Sequence, residues 1–405
     1  MTHSLQKPDP IRSVETGLPD LLSPRRRHTL HERRVYYRVP GVSIAVMRNG
    51  EIEWAKGYGM TAFEGGKPVD SETLFQAASV SKPIASMLVM RLVEEGLLDL
   101  DENINTYLKT WKLPENEFTV QEKVTLRHLL CHDAGTTIHG FPGYDVSAEI
   151  PSLPQILDGV SPANTKEVRV VRKPGEKHSY SGGGTTIAQL ACMDATGRPF
   201  PELMQEYVLE PLGMTHSVYS QPLAPDRQSN ATRAHKLDRT PYPGGFHVYP
   251  ELAAAGLWTT PTDLLKALLE MQRALQGKGK LLKQETAQEM LKPQIMETLR
   301  SISFLMPTSW GIGWALHHTP EAEYFGHSGG NAGFSCNLLG RVDQEEGAAV
   351  MTNGEMGIML VLEIFNGIAA AYGWTGYTSK VRLGLRDLPM IGMFAYMNLK
   401  LKWMK

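Results

Sequence analysis

Residues 84–95 are apolar on almost every face of a helix. Ala85, Leu88, Val89, Leu92 and Val93 recur at three- and four-residue intervals, and Met87 and Met90 fill the other faces. Such a helix is stable only when it is surrounded, so the rest of the chain must enclose it. Pro83 fits its first turn, where a missing N–H costs nothing, and Gly96 marks its end. With 405 residues, 42% of them hydrophobic, there is material for a large core in one two-lobed body or in two to three domains.

Strands lie at both ends of the chain. Residues 42–47 and 51–55 read as strands, and Asn49-Gly50 between them predicts a hairpin, because both turn residues must accept positive φ. Gly57-Tyr58-Gly59 closes it. From about 97 to 300 short helices alternate with proline-rich loops. One helix starts at Thr125 and stops at Ala134-Gly135. A turn at 173–176 leads into Tyr180-Ser181-Gly182-Gly183-Gly184 and a helix over 185–195, and Pro261-Thr262-Asp263 opens another over 264–275. Strands return at 310–316, 324–327, 334–341 and 348–352, followed by a packing helix over 357–372. The expected fold class is α/β: an antiparallel sheet built from both chain ends, flanking helices, and an inserted, mainly helical lobe. The expected division is a basic N-terminal extension (1–38), a main domain (39–375) and an apolar, basic tail (376–405).

Net charge is −2 and pI about 6.7, which points away from nucleic acid. Three cysteines, Cys131, Cys192 and Cys336, are too few and too scattered for a disulfide framework or a zinc site. Residues 1–10 are polar and proline-rich, without the apolar core of a secretory signal, and no run of eighteen apolar residues occurs, so a cytoplasmic protein is expected. The cluster Arg25-Arg26-Arg27-His28 with Arg33, Arg34 and Arg38 reads as the solvated face of an N-terminal helix rather than a site for an anionic partner. The apolar run 388–397 is flanked by Lys380, Arg382, Arg386, Lys400, Lys402 and Lys405. It is too short to span a bilayer and is expected to pack on its own body, with peripheral membrane contact as the alternative. The thirteen histidines show no ligand spacing, and the glycine run lacks the lysine of a phosphate loop, so no metal or cofactor is expected.

Three short stretches carry chemistry. Ser79 and Lys82 stand three apart where the apolar helix begins, so their side chains share a face. A serine hydroxyl needs a base, and a lysine serves as one when burial lowers its pKa. Tyr180 lies in the glycine-rich segment, where a phenol beside an ammonium ionises more easily and acts as a second base. His327-Ser328-Gly329-Gly330 follows an aromatic strand, and its glycines let backbone approach a substrate and offer an N–H to an oxyanion.

In that order, over about residues 38–375, the three stretches resemble the serine β-lactamase and penicillin-binding-protein superfamily in its class C-like branch, for which a Ser-x-x-Lys signature is a known motif. The flanking stretches 40–46, 71–79, 126–130, 255–260 and 310–314 agree with it. The resemblance implies an acyl-enzyme on Ser79, with Lys82 as base or relay, Tyr180 as second proton-transfer group, and the N–H groups of Ser79 and Gly330 as oxyanion hole. It places His327, Gly329 and Gly182 in contact with substrate. Gly182 stands where relatives carry the asparagine that touches the acyl amide, and His327 where many carry the lysine of Lys-Thr-Gly. A neutral histidine holds a carboxylate less well than lysine, which turns the expected activity from β-lactams toward small esters. D-amino-acid peptidase or carboxypeptidase action, weak β-lactam hydrolysis and a non-catalytic binding role are the alternatives. The expected partner is therefore a small ester, amide or β-lactam, with oligomeric state open.

Overall fold

The structure, a computed structural model, describes residues 9–21, 23, 25–295 and 308–377. The apolar run 388–397 with its flanking basic residues, and most of the proline-rich N-terminus, lie outside the described residues.

Seven strands form one antiparallel sheet. They are β1 (Gly41–Arg48), β2 (Glu51–Gly59), β3 (Thr308–Trp310), β4 (Ala315–His318), β5 (Glu323–Asn331), β6 (Phe334–Arg341) and β7 (Gly347–Thr352). Their spatial order is β2-β1-β7-β6-β5-β4-β3. The β1–β2 hairpin turns as expected on Asn49 and Gly50, at φ 52 and 75. The two chain ends meet where β1 pairs β7, with Met47 opposite Gly347 and Val42 opposite Thr352. Residues 60–295 are therefore an excursion from the sheet, and most of their regular structure is helix.

Both faces of the sheet are covered. Val42, Ile44 and Val46 of β1 and Ala348 and Val350 of β7 face one layer, while Ala45, Met47, Ala349 and Met351 face the other. This is the period-two alternation of a strand, but with both sets apolar, so each face needs its own helices. On the first face lie α1 (Pro10–Thr16), α2 (Leu30–Tyr36) and the almost wholly apolar α8 (Gly357–Tyr372). On the second lie α3 (Ser81–Glu94), α4 (Leu126–Cys131), α5 (Gly182–Thr196), α6 (Leu252–Ala255) and α7 (Pro261–Leu275). In α3 every residue from Ser81 to Met90, and Leu92, is buried, as its all-round apolar pattern requires. Among the described residues no helix is long and apolar enough to cross a membrane.

Four local readings change. The run 310–316 is not one strand. It breaks into β3 and β4, paired antiparallel, at a turn where Gly313 has φ 77 and a Cβ would meet Ser86 Oγ at 2.1 Å. The three glycines 182–184 open α5 instead of preceding it, capped by Ser181 Oγ, which accepts the Gly184 N–H at 3.0 Å. They are glycines because the helix start is crowded: a Cβ on Gly183 would sit 2.8 Å from Val168 and 2.9 Å from the Thr137 carbonyl. Helix α4 ends at Cys131, three residues short of Ala134-Gly135, because His132 adopts the left-handed conformation.

The N-terminal arginines are not one solvated face. Arg25, Arg26 and Arg27 are exposed. Arg33 is buried, and its Nε and Nη2 bond the two oxygens of the fully buried Glu363 in α8 at 2.6 and 2.5 Å. Tyr37 Oη donates to the same carboxylate at 2.8 Å, and the Leu21 N–H at 3.2 Å. Arg34 donates to the carbonyls of Val39 and Pro40, at 3.1 and 2.8 Å. The first helices are thereby tied into the layer that backs the sheet.

Candidate active site

Ser79 sits in a short 3-10 turn, Ala78–Val80, that runs into α3. Ala78 has φ 51, a left-handed conformation that costs an L-residue about 1–2 kcal/mol. The surroundings hold it there. The Ala77 N–H donates to Leu257 O at 2.9 Å, Ser81 Oγ donates to Ala78 O at 2.6 Å, and the Leu257 N–H donates to Ser81 Oγ at 3.0 Å. Ser81 thus serves the turn, and Ser79 is left free to face a cavity of about 980 Å³.

Lys82 Nζ lies 3.0 Å from Ser79 Oγ and donates to the carbonyl of Ala254, in α6, at 2.9 Å. The side chain is buried with no carboxylate beside it, and burial pulls its pKa down to about 7. An amine in that range is half deprotonated at neutral pH, as a general base should be. Tyr180 hydrogen-bonds Ser79, and Lys82 Nζ lies 5.0 Å from its ring centroid. The phenol does not ionise more easily, as its neighbouring amine led one to expect. Burial pushes its pKa up, and the Ser79 hydrogen bond offsets this only in part. Tyr180 is therefore a neutral hydroxyl that can pass a proton.

The third wall is β5, which extends four residues past His327, the end of the strand expected over 324–327. On one side it pairs β6. On the other it pairs β4 only as far as Gly326, leaving the edge over residues 327–331 open. Gly329 packs directly on the nucleophile turn: a Cβ there would meet Ala77 O at 2.2 Å and Ser79 N at 3.0 Å. Gly330 faces the cavity with nothing within 4 Å of a Cβ. Ser79, Lys82, Tyr180, His327 and Gly330 all line this cavity. Gly182 and Gly329, expected to touch substrate, are not among the residues that line it. Gly182 lies behind Phe141, 2.9 Å from a built Cβ, and Gly329 is spent on close packing.

His327 is buried, and its Nδ1–H donates to the Ser328 carbonyl at 2.6 Å. Burial, reinforced by nearby Lys82, lowers its pKa to about 3, so it is neutral and Nε2 carries a lone pair. It cannot act as the cation that a lysine would supply. Replacing it, His327→Lys, is expected to raise the rate at which a fluorescent penicillin acylates the protein by about tenfold, the scale of one charge-assisted hydrogen bond. An unchanged rate would mean that another feature limits penicillin.

Residues outside the three stretches complete the walls. Tyr180 is enclosed by His132, His139 and Trp310, at ring-centroid distances of 4.2, 4.8 and 5.6 Å. Ile138, Phe141 and Val171 form an apolar rim, and Lys177 brings a charge to it. Among the described residues no Asp or Glu lines the cavity. Ile138 has φ 63, unusual for a β-branched residue, and its carbonyl is held by the Gly183 N–H at 3.1 Å. The sequence signal for most of these residues was faint, since all but Trp310, at the end of β3, are brought in by loops. Despite several histidines here, no group of three or more metal-ligating side chains among the described residues could hold a metal ion.

Comparison with known proteins agrees with this geometry. A family model described as Beta-lactamase matches residues 26–378. Penicillin-binding protein 4 of Amycolatopsis lactamdurans is 26% identical over 340 residues, covering 82% of this chain and 85% of that protein. Protein flp of Staphylococcus aureus (strain N315) is 24% identical over 333 residues, covering 78% of this chain but only 60% of that protein's length. Among solved structures, the octameric penicillin-binding protein homologue from Pyrococcus abyssi superposes with a TM-score of 0.71 at 22% identity, covering 89% of this chain and 79% of that one. SurE superposes with a TM-score of 0.66 at 24% identity, covering 85% and 74%. The family match includes every segment that meets at the cavity, from the Ser79 turn to the open edge of β5, and the chain therefore belongs to the Beta-lactamase family, the penicillin-binding-protein-like serine hydrolases.

Proposed function

We propose that the chain is a hydrolase that forms an acyl-enzyme on Ser79 and acts on small, uncharged carboxylic esters. The observation that carries this reading is the buried Lys82 amine, 3.0 Å from Ser79 Oγ with its pKa brought to about 7. Neutral Lys82 takes the Ser79 proton as Oγ attacks the carbonyl carbon. Backbone N–H groups of Ser79 and Gly330 receive the oxyanion, a contribution of about 10²–10³-fold per donor. Tyr180 passes a proton to the leaving alcohol, and water then releases the acid by the reverse sequence.

Esters are favoured because the cavity offers nothing to hold a substrate carboxylate near the nucleophile. His327 is neutral, Gly182 has no side chain, and the rim over Ile138 and Phe141 is apolar. A second reading has its own support. The open edge of β5 over residues 327–331 can pair with an extended backbone, which suits a D-amino-acid peptide or a β-lactam amide.

The deciding experiment treats the protein with a fluorophosphonate and, separately, a fluorescent penicillin, and maps the adduct by mass spectrometry. Phosphonate on Ser79 with little penicillin is expected, together with turnover of p-nitrophenyl butyrate above nitrocefin and a D-alanyl anilide. Equal or faster penicillin labelling would favour the second reading. No adduct on Ser79 from either reagent would leave a binding protein without hydrolase activity.

A further inference from the structure

We propose that His132 is a positioning residue that holds the Tyr180 phenol against Ser79. This deepens the reading above and rests on it. Residues 179 and 180 belong to no helix or strand, so nothing in their own segment fixes where the phenol points. His132 brackets them. Its carbonyl accepts the Ser179 N–H at 2.6 Å, and its ring Nδ1 accepts the Ser181 N–H at 3.3 Å. Between those two bonds its ring lies against Tyr180, with centroids 4.2 Å apart at 40°. Behind it stands Trp310, edge-on at 5.1 Å, itself stacked on His178 at 5.2 Å. One hydrogen bond on each side, to Ser179 and to Ser181, and one ring contact to Tyr180 itself thus bracket the residue that faces Ser79.

The arrangement carries a conformational cost that helix α4 alone does not demand. His132 stands at φ 61 and ψ 36, left-handed, where glycine is usual at a helix end. A glycine would cap α4 equally well but would supply neither the ring nor Nδ1. Because Nδ1 accepts, the neutral ring carries its proton on Nε2, which is buried without a partner among the described residues. A side chain kept in that state is explained by what its other face holds, Tyr180 and its two flanking peptides.

The test is a double-mutant cycle on fluorophosphonate labelling of Ser79, separating kinact from KI. His132→Phe keeps a ring but loses the acceptor. It is expected to lower kinact by about 10–100-fold, less than the roughly 10²–10⁴-fold of a proton-transfer group lost outright because the phenol is misplaced and not removed, with KI changed less than about twofold. His132→Asn, whose side-chain oxygen can take the place of Nδ1 and which tolerates a left-handed backbone, is expected to restore kinact to within a fewfold. In a Tyr180→Phe background, His132→Phe should cause no further loss. Equal losses in both backgrounds, or a loss confined to KI, would overturn the proposal. Should His132→Phe fail to fold, His132→Gly, free of backbone strain, must show the same loss and the same dependence on Tyr180. If the unaltered protein is not labelled on Ser79, the hydrolase reading fails and this proposal with it. If it is labelled and only the cycle is additive, the hydrolase reading stands and this proposal alone falls.

Discussion

Lys82→Ala is expected to slow fluorophosphonate labelling of Ser79 by about 10²–10⁴-fold, the range of a positioned general base. Among the described residues no Asp or Glu lines the cavity to take over, Lys177 stands at its rim, and His327 is held neutral with its pKa near 3. The same assignment fixes the pH dependence. With the Lys82 pKa at about 7, protonated and inactive amine dominates below that pH, so labelling should rise through pH 7 and level off above it. Stability moves with its own sign. A lysine whose folded pKa lies below its ordinary value of 10.5 stabilises the fold fully only above that value, and the contribution is lost as pH falls toward 7. Lys82→Met should therefore raise the urea midpoint more at pH 7 than at pH 10. Labelling retained in Lys82→Ala, or a rate flat from pH 5 to 9, would remove Lys82 from the mechanism.

The second large effect concerns the fold. Arg33→Met is expected to cost about 3–5 kcal/mol, because it strips the cation from a carboxylate that has no access to water. Among the described residues Glu363 would keep the Tyr37 hydroxyl and the Leu21 N–H. Arg33→Met combined with Glu363→Leu should recover most of the loss, since apolar side chains of similar size can replace a buried pair at little cost. Urea unfolding of the three proteins reads this directly. A single variant as stable as the parent would show that α2 is not anchored to α8 through this pair.

Much of the architecture was legible because it rests on local patterns. Asn49-Gly50 admits few backbones other than a tight hairpin, and the spacing of Ala85, Leu88, Val89 and Leu92 admits only a helix. The helix over 357–372 could be read from its almost wholly apolar composition. The misreadings fall where a distant neighbour outweighs local preference. Gly313 turns the chain because Ser86 leaves no room for a side chain, and Gly182–184 are helical because Ser181 caps them and Val168 and Phe141 crowd them. Arg33 looked like part of a solvated run because Glu363, its partner, lies 330 residues away.

The same division runs through the site. The sequence by itself determined that Ser79 and Lys82 face each other, since three residues on a helix place side chains on one face. It also marked Tyr180 and His327 as the residues to watch. Only the tertiary structure decided their chemical states. The Lys82 pKa comes from burial among segments far apart in the chain, Ala254 among them, 172 residues away; the neutrality of His327 comes from burial and from Lys82; and the Tyr180 phenol is bracketed by His132, 49 residues from Ser181. Helical spacing is a property of neighbouring residues, whereas burial and electrostatic surroundings depend on segments that meet only in the folded chain.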